Sequence, residues 1–274
     1  LADVLRKRLD GPVITFHRYL PATHQEFIKN MQSIDCEEIR VFPLFPQFTY
    51  ATTGSIARWL SEHLPKEIIN KMRWVKSYST HPTYISAQQQ AIRRYLDDQQ
   101  LKDEETILLF SAHGLPQLFS DRGDVYEYEC NASFSAVMEA FPQIQGRLSY
   151  QSKFGRGEWL KPYTIDVCEK IKSWCGERKQ VVFVPISFTS DHIETLFEVE
   201  EQYMTVIVRE GLNAYRVPAL TLNAEWIDSI VTMIQEKEGC SSLMLIRPKE
   251  CPFRWSRIKN FFRRPEKVAE PQQS

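Results

Sequence analysis

One stretch of the chain, residues 181–203, constrains the fold more than any other. Its first half, VVFVPISF, is an almost unbroken apolar run with several β-branched residues, which predicts a strand buried on both faces, as in a parallel sheet. Beyond it, Leu196, Val199, Tyr203 and Val206 recur at three- and four-residue steps, which predicts a helix with one apolar face. The stretch therefore predicts a strand-to-helix unit of the kind from which α/β folds are built.

The join between this strand and this helix carries Asp191, His192 and Glu194. Ligands of open α/β sheets bind beyond the carboxyl ends of the strands, so these side chains are candidates for a site. A second buried run, TILLFS at residues 106–111, is followed by Ala-His-Gly, which puts His113 at an equivalent strand end. A single histidine after a strand is more often a hydrogen-bonded turn residue, but two at equivalent positions with acids beside them indicate chemistry.

The rest of the chain repeats the alternation of strand and helix. Strands are predicted over 12–16, 39–44, 73–78, 106–111, 147–152, 181–188, 214–217 and 242–246, and helices over 1–9, 56–64, 84–96, 125–140, 165–175 and 223–234. Another helix is predicted to start at Thr23, which forms a capping box with Glu26, and Asn223 is predicted to cap the last helix. The alternation predicts an α/β fold of two similar Rossmann-like domains, each a parallel sheet flanked by helices, with a cleft between them.

The charged segment LKDEE at 101–105 marks the predicted crossing between the domains. We expect an N-terminal domain over 1–103, a C-terminal domain over 104–250 and a basic, aromatic tail over 251–274. The tail interleaves Lys and Arg with Phe and Trp. It is either a solvated end, the commoner case, or a helix that lies on an anionic membrane surface, here the inner membrane surface.

Composition excludes some classes of function. The chain has 274 residues, a formal net charge of −1 and 43% hydrophobic residues, which is typical of a globular protein without a basic face for nucleic acid. No apolar run reaches the roughly 18–20 residues that span a bilayer. The six cysteines form no CxxC pair, so we expect reduced thiols and a cytoplasmic protein, with Cys168 and Cys175 in the core.

Glu194, Glu198 and Gln202 follow one another at steps of four on the predicted helix. One interpretation is structural: Asp191 and Glu194 form a capping box, and the later acids are a solvated face. The other is functional: Glu194 points into the cleft, and the next two side chains continue a polar line that relays a divalent cation or protons. Oxygen and imidazole ligands without thiolate suit Fe²⁺ or another borderline metal. Composition and spacing leave both interpretations open.

Two further residues, Trp159 and Arg18, have two interpretations each. Trp159 lies in a glycine-rich loop, where it either packs, the commoner case, or forms the wall of a pocket for a flat aromatic ligand. Arg18 and Tyr19 follow the first predicted strand. The arginine is either a surface charge or a two-pronged clamp for a ligand carboxylate.

Several longer motifs resemble the ferrochelatase family. They are TILLFSAHGLP (106–116), GDVY (123–126), YQSKFGRGEWLKPYT (150–164) and ISFTSDHIETLFEVEEQY (186–203), in the family's order and spacing, while HRYLP (17–21) and FPQFTYATTGS (45–55) are similar to its first-domain motifs. The resemblance implies two Rossmann-like domains and a lyase that inserts Fe²⁺ into a porphyrin, protoporphyrin IX or coproporphyrin III, in haem biosynthesis. The alternatives are a chelatase for another metal or tetrapyrrole, and a non-catalytic porphyrin carrier.

The resemblance also implies roles for particular residues. It makes His113 and Glu194 the catalytic pair and, together with Glu198, the metal ligands. The porphyrin-binding positions that it implies are Arg18, Tyr19, Trp159, Phe188 and His192, with Asp191 and Gln202 in support. Gln202 stands where the family commonly has a second acid. We expect the imidazole and the carboxylate of the catalytic pair to face each other across an interdomain gap wide enough for a tetrapyrrole.

Departures from the family pattern lead to further expectations. Family members open with a glycine-containing strand and an apolar lip that this sequence lacks, so we expect an N-terminally truncated chain. Some relatives hold an iron–sulfur cluster, but Tyr50 stands where one ligand would be, and Cys240 and Cys251 alone cannot complete a four-thiolate site. We therefore expect no cluster and no tightly bound cofactor, with porphyrin and Fe²⁺ as the partners. The oligomeric state is left open.

Overall fold

A computed structural model describes residues 1–236 and 240–241. Within this part of the chain the strands form one sheet of four and one sheet of three. The strands are β1 (Ile39–Val41), β2 (Met72–Val75), β3 (Thr106–His113), β4 (Gln145–Gln151), β5 (Gln180–Val184), β6 (Asn213–Arg216) and β7 (Cys240–Ser241). The alternation of strands and helices along the chain confirms the predicted α/β class.

The helices connect these strands. They are α1 (Ala2–Leu5), α2 (His24–Ser33), α3 (Thr53–His63), α4 (Lys66–Lys71), α5 (Pro82–Asp98), α6 (Gln117–Asp121), α7 (Tyr126–Met138), α8 (Thr164–Glu169), α9 (Met204–Arg209) and α10 (Ala224–Gln235). A π-helix, Glu194–Tyr203, runs directly into α9. The helix predicted over 165–175 is shorter than expected, because α8 ends at Glu169 and the chain continues as a 3₁₀ turn, Ile171–Ser173.

The four-stranded sheet is parallel, with the order β4-β3-β5-β6. Side chains of a strand alternate between the two faces of a sheet. Ile107 and Leu109 of β3 pack with α8, the π-helix and α9, whereas Leu108 and Phe110 pack with α5, α7 and α10. Every residue of β3 is buried except His113 at its carboxyl end. The two apolar runs are therefore strands covered on both faces, as their composition predicts.

Strand β5 is shorter than the apolar run that predicts it. The run extends to Phe188, but the strand ends at Val184 because Pro185 has no N–H to donate to a neighbouring strand. The chain stays against the sheet beyond this point, since the Ile186 N–H donates to the Ser111 carbonyl oxygen at 3.1 Å. The last residues of the run therefore lie beside the carboxyl end of β3.

The three-stranded sheet departs from the prediction. β1 and β2 pair in parallel, but β7 pairs with β2 in the antiparallel direction. The strand predicted over 12–16 is wrong: this segment is irregular, and Phe16 packs its ring 4.8 Å from that of Trp59 instead of joining a ladder. The strand predicted over 242–246 and the tail over 251–274 lie outside the described residues.

Helix α5 joins the two halves of the chain. Its Ile92 and Leu96 share a hydrophobic cluster with Phe110 of β3 and Trp226 of α10. The helix comes before the predicted crossing at 101–105 in sequence but packs on the four-stranded sheet. The domain limits at 103 and 250 stay a prediction.

The two predicted helix caps have different outcomes. Asn223 caps α10, because its side chain accepts the N–H of Trp226 at 3.1 Å. The capping box of α2 is wrong: the Thr23 side chain makes no capping hydrogen bond with the first turn, and its hydroxyl donates backwards to the Leu20 carbonyl oxygen at 2.8 Å. No helix in the described residues has the length and apolar character needed to cross a membrane.

The cysteines whose side chains the structure describes are free thiols. Cys168 and Cys175 are buried in the cluster beside β3, as predicted. Burial raises the pKa of Cys168 to about 12, so this thiol is protonated at neutral pH. Cys251 lies outside the described residues.

Candidate active site

The carboxyl ends of β3 and β4 lie side by side and begin the site. In the parallel register His113 is opposite Gln151, and the Gly114 N–H donates to the Gln151 carbonyl oxygen at 2.8 Å. The His113 N–H donates to the Ser187 hydroxyl at 2.8 Å, which ties the strand end to the segment after β5. The imidazole of His113 therefore projects from a backbone that is held on both sides.

The π-helix supplies the second side of the site. Its buried positions, Thr195, Val199 and Tyr203, recur at steps of four, and Ile207 of α9 continues the series. A helix with i→i+5 hydrogen bonds has more residues per turn than an α-helix, so its apolar stripe follows this longer period. The α-helical face predicted from sequence is therefore wrong at Leu196, which is 46% exposed.

His113 and Glu194 form the central pair. The Nε2 atom of His113 lies 3.7 Å from Oε1 of Glu194, and about a third of each side chain is exposed, 30% and 36% respectively. The Nδ1 atom lies 2.6 Å from the Gly114 carbonyl oxygen. Because a carbonyl can only accept, Nδ1 carries a proton, and Nε2 is the ring nitrogen that faces Glu194.

This distance corrects the expected gap between the two groups. A tetrapyrrole cannot lie between atoms 3.7 Å apart, so a macrocycle can only lie to one side of the pair. The chain brings the two side chains together as one pair.

Asp191 fixes the start of the π-helix without forming the predicted capping box. Its carboxylate accepts hydrogen bonds from the Thr195 hydroxyl at 2.9 Å, the Arg216 guanidinium at 2.7 Å and the Ala219 N–H at 3.2 Å. The same arginine donates to Glu200 at 2.7 Å, and its side chain is 8% exposed. Asp191 is therefore held from three elements, which leaves the side chain of Glu194 free to turn towards His113.

His192 and Phe188 lie beside the pair. The ring of Phe188 meets that of His192 edge to face at 4.8 Å, and its centroid is 6.3 Å from that of His113. The Glu194 N–H donates to Nδ1 of His192 at 3.2 Å. Phe188 is buried, whereas His192 is exposed. The phenyl ring of Phe188 therefore packs near both imidazoles. Its role as a porphyrin contact stays a prediction.

Glu198 turns away from solvent, so the predicted polar line is not continuous. Its carboxylate accepts from the Ser152 N–H at 2.6 Å, from the Ser152 hydroxyl, from Nε2 of Gln151 at 3.1 Å and from the Tyr203 hydroxyl. Burial, and then the bond to Glu198, raise the pKa of Tyr203, which keeps its hydroxyl a donor. Gln202, by contrast, is exposed.

The structure does not assemble the predicted set of metal ligands. Among the described residues no group of three His, Cys, Asp or Glu side chains is arranged to hold a metal ion. His113 and Glu194 are close together, while Glu198 is engaged with the end of β4. Glu198 as a metal ligand therefore stays a prediction that needs its hydrogen bonds to be broken.

Arg18, Tyr19 and Trp159 are the remaining predicted porphyrin contacts, and Trp159 lies near the end of β3, where a Cβ atom added to Gly114 would be 3.5 Å from its ring. Arg18 donates to the Ser55 hydroxyl at 3.2 Å and stacks over the exposed ring of Tyr19 at 5.2 Å. Trp159 is 1% exposed and packs 4.8 Å from the ring of Phe154, so its indole is core and not an open wall. Among the described residues no hydrogen bond, ion pair or ring contact joins Arg18 or Tyr19 to the catalytic pair.

Sequence reasoning missed several residues around the site. The exposed apolar side chains at the start of the π-helix are Ile193, Leu196 and Phe197. Gln151 and Arg216 were missed because each is a buried polar residue whose partners are distant in sequence. The buried positions 195, 199 and 203 are spaced four residues apart. This spacing is the sequence signal from which an exposed Leu196 could have been predicted.

Solved structures first define the class of fold. SirB from Bacillus subtilis with Fe³⁺ matches over 86% of this chain and 86% of its own, with a TM-score of 0.59 and 12% sequence identity. CbiX, described as the terminal enzyme for the biosynthesis of sirohaem in denitrifying bacteria, matches 78% of this chain and 92% of its own, with a TM-score of 0.50 and 15% identity. At these identities the likeness establishes that the chain shares the fold of these two proteins.

The family follows from sequence. The ferrochelatase family model matches residues 1–238. Ferrochelatases of Chlamydia caviae and Chlamydia felis are 43% and 44% identical over 247 and 249 residues, which is 90% of this chain and 76% of each relative. The ferrochelatase of Chlamydia trachomatis serovar A is 38% identical over 89% of this chain. The chain belongs to the ferrochelatase family.

Proposed function

We propose that this chain is a ferrochelatase, a lyase that inserts Fe²⁺ into a porphyrin in haem biosynthesis. One observation in particular supports the proposal. His113 Nε2 faces the carboxylate of Glu194 at 3.7 Å, and both side chains are partly exposed, so a substrate can reach both groups. Insertion must remove two pyrrole protons as iron–nitrogen bonds form, and this pair places an imidazole beside a carboxyl group.

His113 is the proposed proton acceptor. An imidazole titrates near neutrality, and the carbonyl oxygen of Gly114 holds its Nδ1 proton in place, so Nε2 is the basic atom. Accepting a pyrrole proton converts the ring to an imidazolium. The Glu194 carboxylate stabilises that cation because opposite charges within about 4–6 Å favour each other.

Glu194 has a second proposed role, as a ligand that delivers Fe²⁺ or as an exit for the proton. A carboxylate and an imidazole are ligands that suit a borderline metal held loosely. Asp191 and Arg216 fix the first turn of the π-helix, so the carboxylate does not have to be reoriented during each turnover. His192, whose Nδ1 accepts the Glu194 N–H, is a relay on the solvent side.

The porphyrin is proposed to lie over one side of the pair. The exposed side chains of Ile193, Leu196 and Phe197 offer apolar contact beside Glu194. Arg18 is proposed to bind a propionate, since a guanidinium binds carboxylates in a two-pronged manner. Binding that bends the flat ring would expose its nitrogen lone pairs and would stabilise the transition state more than the ground state.

One optical assay tests the function. The chain is mixed with Fe²⁺ and either protoporphyrin IX or coproporphyrin III without oxygen, and the porphyrin bands are followed. A ferrochelatase converts them to the metallated spectrum, whereas a porphyrin carrier shifts the bands without conversion. Parallel rates with Co²⁺ test a preference for another metal, and higher rates with Co²⁺ than with Fe²⁺ for both porphyrins would contradict the proposal.

Two further points are part of the proposal. The chain is expected to work without a tightly bound cofactor or an iron–sulfur cluster, and metal analysis of the purified protein tests this expectation. The basic, aromatic tail over 251–274 is expected to bring a cytoplasmic protein to the inner membrane surface. Flotation with anionic liposomes tests the second point, and equal binding with and without the tail would contradict it.

A further inference from the structure

We infer that Gln151 is a positioning residue that sets the approach of Glu194 to His113. The inference rests on the proposed function, because it assigns a role within the same site. Gln151 is the last residue of β4 and lies opposite His113 in the parallel register. It is only 1% exposed, so it acts on the reaction through other residues and not by contact with a substrate.

The side-chain amide of Gln151 joins the two halves of the catalytic pair. Its Nε2 donates to the backbone carbonyl oxygen of Glu194 at 2.9 Å and to the Glu198 carboxylate at 3.1 Å. Its Oε1 accepts the hydroxyl of Ser111 at 2.6 Å, two residues before His113 on β3. A single planar group therefore connects the strand that carries the imidazole with the first turn of the helix that carries the carboxylate.

The backbone of Gln151 supports the same geometry. Its carbonyl oxygen accepts the Gly114 N–H at 2.8 Å, directly after His113. A Cβ atom added to Gly114 would lie 2.6 Å from this oxygen, far inside van der Waals contact, so the close approach requires glycine here. The strand end that carries the imidazole is thus held by the same glutamine at Ser111, two residues before His113, and at Gly114, directly after it.

The arrangement needs an amide and not merely a side chain of this size. One end of the group must accept from Ser111, and the other must donate to both Glu194 and Glu198. A carboxylate at this position would place an oxygen against the Glu198 carboxylate. A thioether would leave the Ser111 hydroxyl and the Glu194 carbonyl without these partners, and buried polar groups without partners are costly. Either change would let the first turn of the π-helix move relative to β3.

The test compares Gln151→Met with a matched control, Gln145→Met. Gln145 is the first residue of β4, and its amide donates to the Trp174 carbonyl oxygen at 3.0 Å, at the opposite end of the strand from Gln151. We expect Gln151→Met to lower kcat about 10- to 100-fold, because a displacement of about 1 Å can cost that much. Porphyrin binding, measured by fluorescence quenching, should stay within about twofold of wild type, since Gln151 does not reach the substrate. The control should match the wild type in both measurements.

Two outcomes would overturn the inference. One is a kcat for Gln151→Met within about twofold of wild type. The other is a fall in kcat that is matched by an equal loss of porphyrin affinity or by an equal fall in the control. If the methionine variant does not fold, Ser111→Ala provides the test, because it keeps the glutamine and removes one anchor. It should lower kcat about three- to tenfold with binding unchanged, and an unchanged kcat would contradict the inference.

A crystal structure of Gln151→Met separates this inference from the proposed function. The distance between His113 Nε2 and Glu194 Oε1, 3.7 Å in the native chain, should increase by about 1 Å or more. An unchanged distance would overturn the inference even if the enzyme is active. If the wild type does not metallate porphyrin, the proposed function fails, while the distance still decides whether Gln151 positions the pair.

Discussion

The two sheets of the molecule support the proposed reaction in different ways. The four-stranded sheet has a strand of eight residues, β3, buried along its length, and its carboxyl end holds His113 within a dense set of hydrogen bonds. The three-stranded sheet has strands of only two to four residues. The segments around it carry Tyr19, 75% exposed, and Leu20, 52% exposed, without comparable support.

We infer from this difference that the four-stranded sheet positions the groups that carry out the chemistry, whereas the segments near the three-stranded sheet mainly contact the substrate. Groups that move protons must be held to within a fraction of an ångström, and a long buried strand with a pinned helix provides that precision. Groups that contact a broad, flat ligand can be less constrained, because apolar contact depends weakly on direction. Changes at the four-stranded sheet should therefore alter the rate of insertion, whereas changes near the three-stranded sheet should alter mainly porphyrin affinity.

The largest effect is expected at the catalytic pair. His113→Ala and Glu194→Gln should each lower insertion about 10²- to 10⁴-fold, the range that a positioned acid or base contributes. Porphyrin binding and the melting temperature should stay close to wild type, because each side chain is partly exposed. His63→Ala, which removes an imidazole from α3, is the matched control. Near-wild-type turnover in either variant would remove that residue from the mechanism.

The next largest effect concerns the network that pins the π-helix. Arg216→Met should lower the free energy of unfolding by about 1.5–3 kcal/mol, because it removes the charged hydrogen bonds that the buried guanidinium donates to Asp191 and Glu200. The matched control is Arg94→Met, which breaks an exposed ion pair with Glu225 and should cost about 0–1 kcal/mol. Urea denaturation measures both, and equal losses would show that the π-helix does not depend on this arginine.

A pH-dependent effect on stability is expected at Asp124, which binds the loop after β1. Asp124 is buried and accepts the Tyr50 N–H at 2.9 Å and the Thr49 hydroxyl at 2.8 Å, both from the loop after β1. Burial is the largest influence on this carboxyl and raises its pKa, although the hydrogen bonds lower the pKa in part. The folded state therefore binds the proton more tightly than the unfolded state does.

The sign of the effect follows from linkage. The contribution of Asp124 to stability is fully present below the ordinary pKa of an aspartic acid and is lost as pH rises through the raised pKa of the folded state. Over this window the free energy of unfolding of wild type should fall relative to that of Asp124→Asn. Thermal denaturation at a series of pH values measures the difference, with Asp98→Asn on the exposed end of α5 as the control. A pH-independent difference between wild type and Asp124→Asn would contradict the assignment.

The smallest effect is expected near the three-stranded sheet. Arg18→Gln should raise the KM for porphyrin about tenfold or less with kcat unchanged, because a charge-assisted bond to a propionate would be present in both the ground and transition states. Arg58→Gln, whose guanidinium pairs with Glu62 on the exposed face of α3, is the control. A fall in kcat without a change in KM would show that this side of the molecule takes part in the chemistry after all.

The sequence predicted the long strands because their composition is unambiguous. Nothing but a doubly covered strand suits TILLFS, and its end correctly located His113 beside the acids of the following unit. The segment over 12–16 has a similar local composition, but a strand needs a partner as well as a pattern, and here the side chain of Phe16 packs against Trp59 instead. Local composition alone therefore does not predict whether a short apolar segment forms a strand.

The chemistry of the site was less predictable than its location. The spacing of Glu194, Glu198 and Gln202 suggested a continuous polar line, but the Ser152 backbone and the Tyr203 hydroxyl bind Glu198 instead. The contact with Ser152 joins residues 46 positions apart, and no local pattern encodes it. The roles of the individual site residues stay predictions for the experiments above.

A double-mutant cycle on insertion of Fe²⁺ tests the central claim most directly. The initial rates of the wild type, His113→Ala, Glu194→Gln and the double variant are measured without oxygen at saturating porphyrin. If imidazole and carboxylate act as one unit, the double variant should be no slower than the slower single variant, within about threefold. Losses that multiply, so that the double variant shows the product of the two single effects, would mean that the two groups act independently, and the account of a joined pair would be wrong.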